Sequence, residues 1–194
     1  MEMKELTRKD YTIEEYFSLA EEAEQKLEYH DGRIEMMAGG TADHSAIGTD
    51  TGAYLTMALR NKSCEPFNSD MAIAIPTFNR YVLPDFSVVC DDAAYEDERQ
   101  TRLTNPTLII EVLSESTEQI DQRRKFIWYS SLPSFREYVL IDSRSLTVLS
   151  YFRKATGDWT IQSLYKREQV LRLHSVDVDI PLAEIYRRVQ FDQL

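Results

Sequence analysis

The sequence has few histidines and cysteines, and it contains no long hydrophobic run. Its 194 residues include three histidines, His30, His44 and His174, and their scatter along the chain argues against a zinc cluster. Cys64 and Cys90 lack the CxxC spacing of zinc and redox sites, so both are predicted to be reduced thiols. No stretch approaches the roughly 20 apolar residues that span a bilayer, so no membrane segment is predicted.

Signature motifs of several enzyme classes are also absent. The chain has no GxSxG, no P-loop and no GxGxxG after a strand, which argues against the hydrolases and nucleotide-binding enzymes that use them. The first ten residues are charged with no apolar run behind them, so no secretory signal is expected and the cytoplasm is the default compartment. A hydrophobic content of 43% and a charged content of 28% are typical of a globular protein, and residues 1–194 are predicted to form a single domain.

The charge is negative overall but unevenly distributed. A net charge of −11 argues against a general binder of polyanions. Residues 1–122 hold 10 basic and 25 acidic side chains, whereas residues 123–194 hold 12 basic and 8 acidic ones. Such asymmetry is found in proteins that contact nucleic acid, and a solvated surface explains it equally well.

The pattern of elements predicts an α/β fold with a central mixed sheet flanked by helices. Thr12 and Glu15 form the capping-box pattern of a first helix, and Asp31-Gly32 marks a β-hairpin. A second helix is expected to begin near Asp43, and a third within residues 116–132. Apolar runs predict further strands at residues 70–76, 83–90, 106–114, 136–142, 146–153 and 158–165.

Two of the predicted strands each carry one internal carboxylate. Asp85 lies in LPDFSVV and Glu111 lies in TLIIEVLS. A buried carboxylate without a partner costs several kcal/mol, and two adjacent carboxylates repel each other unless a cation bridges them or one stays protonated. Mg²⁺ prefers such oxygen ligands and keeps several waters. We therefore expect Asp85 and Glu111 to lie close enough to share one cation.

The predicted helix after Glu111 supplies a third candidate group. Its buried face is predicted from three apolar residues, Ile120, Ile127 and Trp128. Asp121 and Lys125 then lie together on the flank, from which Lys125 could reach both carboxylates and orient an attacking water. The alternative is that Asp121 and Lys125 form an ordinary i,i+4 pair on the surface, worth about 0.3 to 0.5 kcal/mol.

These residues, taken in order, resemble the PD-(D/E)XK nuclease superfamily, and more closely a bacterial family of restriction-endonuclease-like proteins. The resemblance runs from about Tyr11 to Val189 and rests on six segments: LEYHDGRIEMMAG, DHSAI, LPDFSVVC, LIIEVLSEST, DQRRKFIWY and REYVLID. It implies a restriction-endonuclease-like fold, hydrolysis of DNA phosphodiester bonds and a Mg²⁺ or Mn²⁺ cofactor. The implied metal ligands are Asp85 and Glu111, with the Val112 carbonyl as a further candidate.

The chain departs from the superfamily pattern at one position. That pattern places a lysine two residues after the acid, where this chain has Leu113. The resemblance implies that Lys125 supplies this function from the following helix. Glu28 and His44 also match family positions and are possible accessory residues with no assigned role, as is Asp121.

Three readings of function therefore remain open, the third being a nuclease for a small or single-stranded substrate that needs little basic surface. The first is a DNA endonuclease, which would cut two strands most simply as a symmetric homodimer. The alternative is a catalytically silent or weakly active module of the same fold that associates with DNA or binds protein. The acidic surface favours the alternative because DNA binders gain much of their affinity by neutralising phosphates, whereas the complete set of Asp85, Glu111 and Lys125 favours the enzyme.

Overall fold

The computed structural model describes residues 10–37, 39–114 and 124–191. Within these ranges the helices are α1 (Ile13–Glu22), α2 (Ala42–Leu59), α3 (Phe126–Ser130) and α4 (Leu182–Ile185), with a 3₁₀ turn at Pro76–Phe78. None of them is long and apolar enough to cross a membrane. The strands are β1 (Leu27–His30), β2 (Arg33–Met36), β3 (Cys64–Asn68), β4 (Ala72–Ile75), β5 (Arg80–Val82), β6 (Phe86–Cys90), β7 (Arg102–Leu103), β8 (Leu108–Leu113), β9 (Glu137–Asp142), β10 (Val148–Arg153), β11 (Trp159–Leu164), β12 (Val170–Leu173) and β13 (Val178–Pro181).

The strands form two larger sheets and a C-terminal hairpin. The six-stranded sheet has the order β11-β10-β9-β8-β6-β3, and the five-stranded sheet has the order β2-β1-β5-β4-β7. Each is mixed, because β8 pairs with β9 and β4 pairs with β7 in parallel while the other neighbours are antiparallel. The predicted mixed α/β class is confirmed, with the strands divided between two larger sheets.

The N-terminal helix and hairpin form as their local signals predict. The Thr12 hydroxyl accepts from the Glu15 amide at 3.1 Å, and the Glu15 carboxylate accepts from the Thr12 amide at 3.0 Å, which completes the capping box. Asp31 and Gly32 take φ values of 50° and 89°, the left-handed pair that a type I′ turn requires. This hairpin fixes β1, whose alternate side chains face opposite sides of the sheet.

Apolar side chains cover both faces of the six-stranded sheet. One face packs against α2, α4 and the β12–β13 hairpin, and the other buries aromatic residues of α3 and of the chain after it. Helix α2 sits close to β6 at Gly52, where an added Cβ would come within 2.5 Å of the Phe86 ring. Glycine at this position therefore permits the close approach of α2 to the strand that follows Asp85.

The third helix differs from its predicted pattern. Ile127, expected on the buried face, is 57% exposed, whereas Trp128 is buried as predicted. Arg124 and Lys125, directly before α3, are π-helical, and a π-helical segment shifts the phase of the side chains relative to a regular α-helix. Ile120 lies outside the described residues.

Two further sequence predictions are wrong. Asp85 is not inside a strand, because β6 begins at Phe86 and Asp85 belongs to the connection from β5. Pro84, which has no backbone N–H to donate to a ladder, lies in this connection directly before Asp85. Cys64 and Cys90 are not reduced thiols, since they form a disulfide. They lie directly opposite each other in the register of β3 and β6, a relationship that their spacing in sequence does not reveal.

Candidate active site

Asp85 lies at the point where the chain enters the six-stranded sheet. Strand β6 pairs with β8 only as far as Phe86, opposite Ile110, while β8 continues to Leu113 along β9. The Asp85 carboxylate accepts the Val112 amide at 2.7 Å on the edge of β8 that β6 does not cover. This bond fixes Asp85 beside the segment that carries Glu111.

Glu111 is buried within β8 and held by two donors. Its side chain is 4% exposed, and its Oε1 atom accepts from Lys125 Nζ at 3.1 Å and from the Tyr129 hydroxyl at 3.0 Å. Burial, followed by the negative charge of Glu111, raises the pKa of Tyr129 well above its usual range. Tyr129 is therefore a protonated donor that orients the Glu111 carboxylate.

Lys125 lies between two buried carboxylates. Its side chain is buried, and Nζ is 3.1 Å from Glu111 and 3.6 Å from Glu28. The interpretation of Lys125 as part of a solvent-exposed surface pair is therefore wrong. Its suggested partner in that pair, Asp121, lies outside the described residues.

Glu28 links the lysine to β1. One carboxylate oxygen accepts the Leu83 amide at 2.8 Å, and the other lies 3.1 Å from His30 Nε2. Burial favours the neutral carboxyl, but the charge of Lys125, the hydrogen bond and charge of His30 and the Leu83 amide outweigh it and lower the Glu28 pKa to about 2. Glu28 is thus ionised at neutral pH.

His44 approaches the cluster from α2. Thr41 caps this helix by accepting the His44 amide at 3.2 Å, and His44 Nε2 lies 3.7 Å from Asp85 Oδ2. The structure therefore places five of the six suggested residues in two neighbouring groups. Glu111, Lys125 and Glu28 form one, Asp85 and His44 form the other, and the Val112 amide next to Glu111 donates to Asp85.

Sequence reasoning missed two members of the cluster, His30 and Tyr129. His30 is two residues after Glu28 in a strand, and Tyr129 is four residues after Lys125 at the start of a helix. Both spacings put the two side chains on one face. The spacings from Glu28 to His30 and from Lys125 to Tyr129 could therefore have indicated both residues.

The donor atoms near Asp85 and Glu111 suit a hard cation. In residues 10–37, 39–114 and 124–191, no three His, Cys, Asp or Glu side chains come together as a metal site. A cation here would depend on two carboxylates, a backbone carbonyl and water, an arrangement that Mg²⁺ accepts because it keeps several waters. Each carboxylate has two oxygens with about four acceptor positions, more than one of which can bind at a time.

The fold is that of a nuclease-like α+β protein. It matches a crystal structure described as "a putative nuclease belonging to DUF820 from Anabaena variabilis ATCC 29413" with a TM-score of 0.74, covering 91% of this chain and 98% of that one. At 18% sequence identity this likeness shows the fold alone.

Sequence comparison identifies the family. Residues 13–183 match the family Uma2, described as "Putative restriction endonuclease", and the chain belongs to it. This membership is consistent with the PD-(D/E)XK superfamily. Two relatives come from Synechocystis sp. (strain ATCC 27184 / PCC 6803 / Kazusa). "Uncharacterized protein slr1290" is 36% identical over 92% of each chain, and "Uncharacterized protein sll1609" is 33% identical over 81% of this chain and 89% of that relative.

Proposed function

We propose that this protein is a metal-dependent endonuclease that hydrolyses DNA phosphodiester bonds. The observation that carries the proposal is the position of Lys125, buried between the carboxylates of Glu111 and Glu28 at the end of the sheet where Asp85 is fixed. Burying an ammonium group is costly unless it is paired and hydrogen-bonded. Lys125 lies beside the point where β6 and β8 stop pairing. The family resemblance expects a catalytic lysine there, and a purely structural role would not account for that position.

Each residue then has a distinct role. Asp85 and Glu111 would hold Mg²⁺ or Mn²⁺, which neutralises phosphate charge and makes water more acidic. The Lys125 ammonium orients the attacking water and stabilises the negative charge that develops on the phosphate oxygens. Tyr129 orients Glu111, while ionised Glu28 keeps Lys125 charged and in place.

The substrate, assembly and compartment follow from this reaction. DNA is the proposed substrate, and a homodimer is the simplest assembly that cuts both strands. The proposed compartment is the cytoplasm, where DNA is accessible. Disulfides are rare in the cytosol, and alkylation of free thiols at cell lysis measures whether Cys64 and Cys90 are paired there.

Cleavage assays test the proposal. Purified protein is incubated with mixed linear, supercoiled and single-stranded DNA in Mn²⁺, in Mg²⁺ and in EDTA. Cleavage should require the metal and should fall about 10²-fold or more in Glu111→Gln. Glu168→Gln, which changes an exposed glutamate in the same way, is the matched control and should cut like the parent.

The alternative function gives a different result. If the folded parent protein binds DNA in a gel-shift assay but cuts none of the substrates with either metal, it is a DNA-associated module of nuclease fold. The negative net charge is the observation that favours this alternative. Glu111→Gln would then bind DNA as well as the parent.

A further inference from the structure

A cavity lies on the other side of the five-stranded sheet from the candidate active site. It has a volume of about 290 Å³ and lies between α1, the turn at residues 68–72 and the segment at residues 99–102. Leu27 lines it, whereas the next residue, Glu28, faces the opposite side of β1 and joins the catalytic cluster. The two sites are therefore separate but share a strand.

The cavity combines apolar walls with positively charged groups. Its apolar lining includes Tyr16 and Phe17, and the Arg102 guanidinium stacks on the Phe17 ring at 4.0 Å. Its charged lining consists of three cations and two carboxylates. Arg102 is also paired with Glu96 at 3.1 Å, so Lys26 and Arg99 are the cations that could bind an anion. This combination suits a planar ring that bears an anionic group.

Two of the cations can exchange their present partners for a ligand. Lys26 Nζ contacts Asp70 at 2.7 Å and the Ser69 hydroxyl at 2.7 Å, and Arg99 pairs with Glu21. All four charged side chains are exposed, and exposed ion pairs contribute little to stability. A phosphate group could therefore replace these carboxylates at small cost and gain charge-assisted hydrogen bonds.

We propose that this cavity binds a single nucleotide, with the base against the Tyr16 and Phe17 wall and the phosphate between Lys26 and Arg99. The choice of a nucleotide among anionic aromatic molecules rests on the proposed function, since cleavage of nucleic acid produces such groups. The volume of about 290 Å³ is near the lower end of the roughly 300 to 1,000 Å³ of small-molecule pockets, which suits one nucleotide.

The cavity is also connected to the candidate active site through the backbone. Leu83 lines the cavity, and its amide donates to Glu28 at 2.8 Å. Tyr16, on the cavity wall, donates its hydroxyl to the Leu27 carbonyl at 3.0 Å. A bound nucleotide would thus contact the side chains of residues whose backbone groups also hydrogen-bond to Glu28 and Tyr16.

Binding is tested without any requirement for cleavage. The full chain is titrated in EDTA with dAMP, deoxyadenosine and inorganic phosphate, using calorimetry for affinity and amide NMR shifts of Ala20, Ala72 and Thr101 for location. We expect saturable binding of dAMP that is stronger than that of either fragment. Lys26→Ala and Arg99→Ala should each weaken it about tenfold, the loss expected for one charge-assisted contact.

The controls separate this site from the proposed catalytic one. Glu111→Gln should bind dAMP as the parent does, even if neither protein cuts DNA. Lys154→Ala, at the exposed β10–β11 turn, should also leave binding unchanged. The proposal is overturned by absence of saturable binding at millimolar dAMP, by equal affinity for phosphate alone or deoxyadenosine alone, by shifts confined to residues outside the cavity, or by unchanged affinity in both cavity variants.

Discussion

Lys125 and Glu111 form a buried ion pair, with the ammonium nitrogen 3.1 Å from a carboxylate oxygen that also accepts from Tyr129. Because the side chains of both residues are almost fully removed from solvent, each charge depends on the other for compensation. Glu28 adds a second carboxylate 3.6 Å from the same ammonium. The pair is thus part of the folded core as well as of the proposed active site.

Replacing Lys125 should therefore affect stability as well as cleavage. Lys125→Met leaves two buried carboxylates without their shared cation, and breaking a buried pair in this way costs about 3 to 5 kcal/mol. Urea denaturation at neutral pH measures the change in the free energy of unfolding. Lys154→Met, an exposed site, should stay within about 0.5 kcal/mol of the parent. A loss below about 1 kcal/mol in Lys125→Met would contradict the buried pairing.

The Glu28 carboxylate should make stability depend on acid pH. Its pKa falls from 4.5 to about 2 on folding, so its ionised form contributes about 3 kcal/mol to the free energy of unfolding above pH 4.5. That contribution is lost as the pH falls towards 2. Urea denaturation of the parent and Glu28→Gln should accordingly show a difference at pH 6 that shrinks by pH 3.

Glu168→Gln serves as the control for the acid titration, and its stability should follow that of the parent at every pH. A difference between the parent and Glu28→Gln that stayed constant from pH 6 to pH 3 would show that the Glu28 pKa is not lowered on folding.

The structural role of Asp85 and its proposed catalytic role should be separable by mutation. In Asp85→Asn the side-chain carbonyl can still accept the Val112 amide, so stability should change by less than about 1 kcal/mol. Removing the negative charge should nevertheless weaken Mn²⁺ binding and reduce any cleavage about 10²-fold or more. Calorimetric titration of Mn²⁺ and the cleavage assay measure the two effects.

Hydrogen exchange at Val112 checks the structural part of that prediction. The Val112 amide should remain protected in Asp85→Asn and exchange faster in Asp85→Ala, which removes the acceptor. Asp92→Asn, at an exposed position in the following connection, should leave both exchange and metal binding unchanged. Equal exchange in all three variants would mean that the Asp85–Val112 bond does not protect this edge.

The Cys64–Cys90 disulfide predicts a stability that responds to reductant. Closing a loop of 26 residues should stabilise the fold by about 3 kcal/mol relative to the reduced chain. Urea denaturation with and without reductant measures this difference, and intact mass after alkylation reports the oxidation state. The double variant Cys64→Ser/Cys90→Ser should be insensitive to reductant, and a parent equally insensitive would rule out a stabilising bond.

Local signals in the sequence predicted the N-terminal elements well. The Thr12–Glu15 capping box and the Asp31-Gly32 turn are each decided by residues within four positions of one another. Their geometry depends little on the rest of the chain, so a single sequence is sufficient to place them. The start of β6 at Phe86 was not predicted because a strand boundary depends on where pairing with the neighbouring strand begins.

The candidate site was predicted in its residue types but not in its environment. Lys125 lies 3.1 Å from Glu111, and Asp85 accepts from the Val112 amide next to Glu111, yet the burial of Lys125 could not be inferred from a regular helical pattern. Arg124 and Lys125 are π-helical, which departs from the regular helix on which the prediction of a buried Ile127 rested. Pairing of Cys64 with Cys90 likewise depends on strand register, which spacing alone does not determine.

The close approach of Gly52 to Phe86 helps to set the position of His44, although glycine has no side chain of its own. Helix α2 carries Gly52 near its middle and His44 in its first turn, and it packs on the Phe86 ring at Gly52. A shift of the helix at Gly52 would therefore also move His44. In Gly52→Ala the added methyl group would clash with the Phe86 ring and push α2 away from it unless the ring moved. His44, 3.7 Å from Asp85, would then swing away from the carboxylate although no charged residue had been altered.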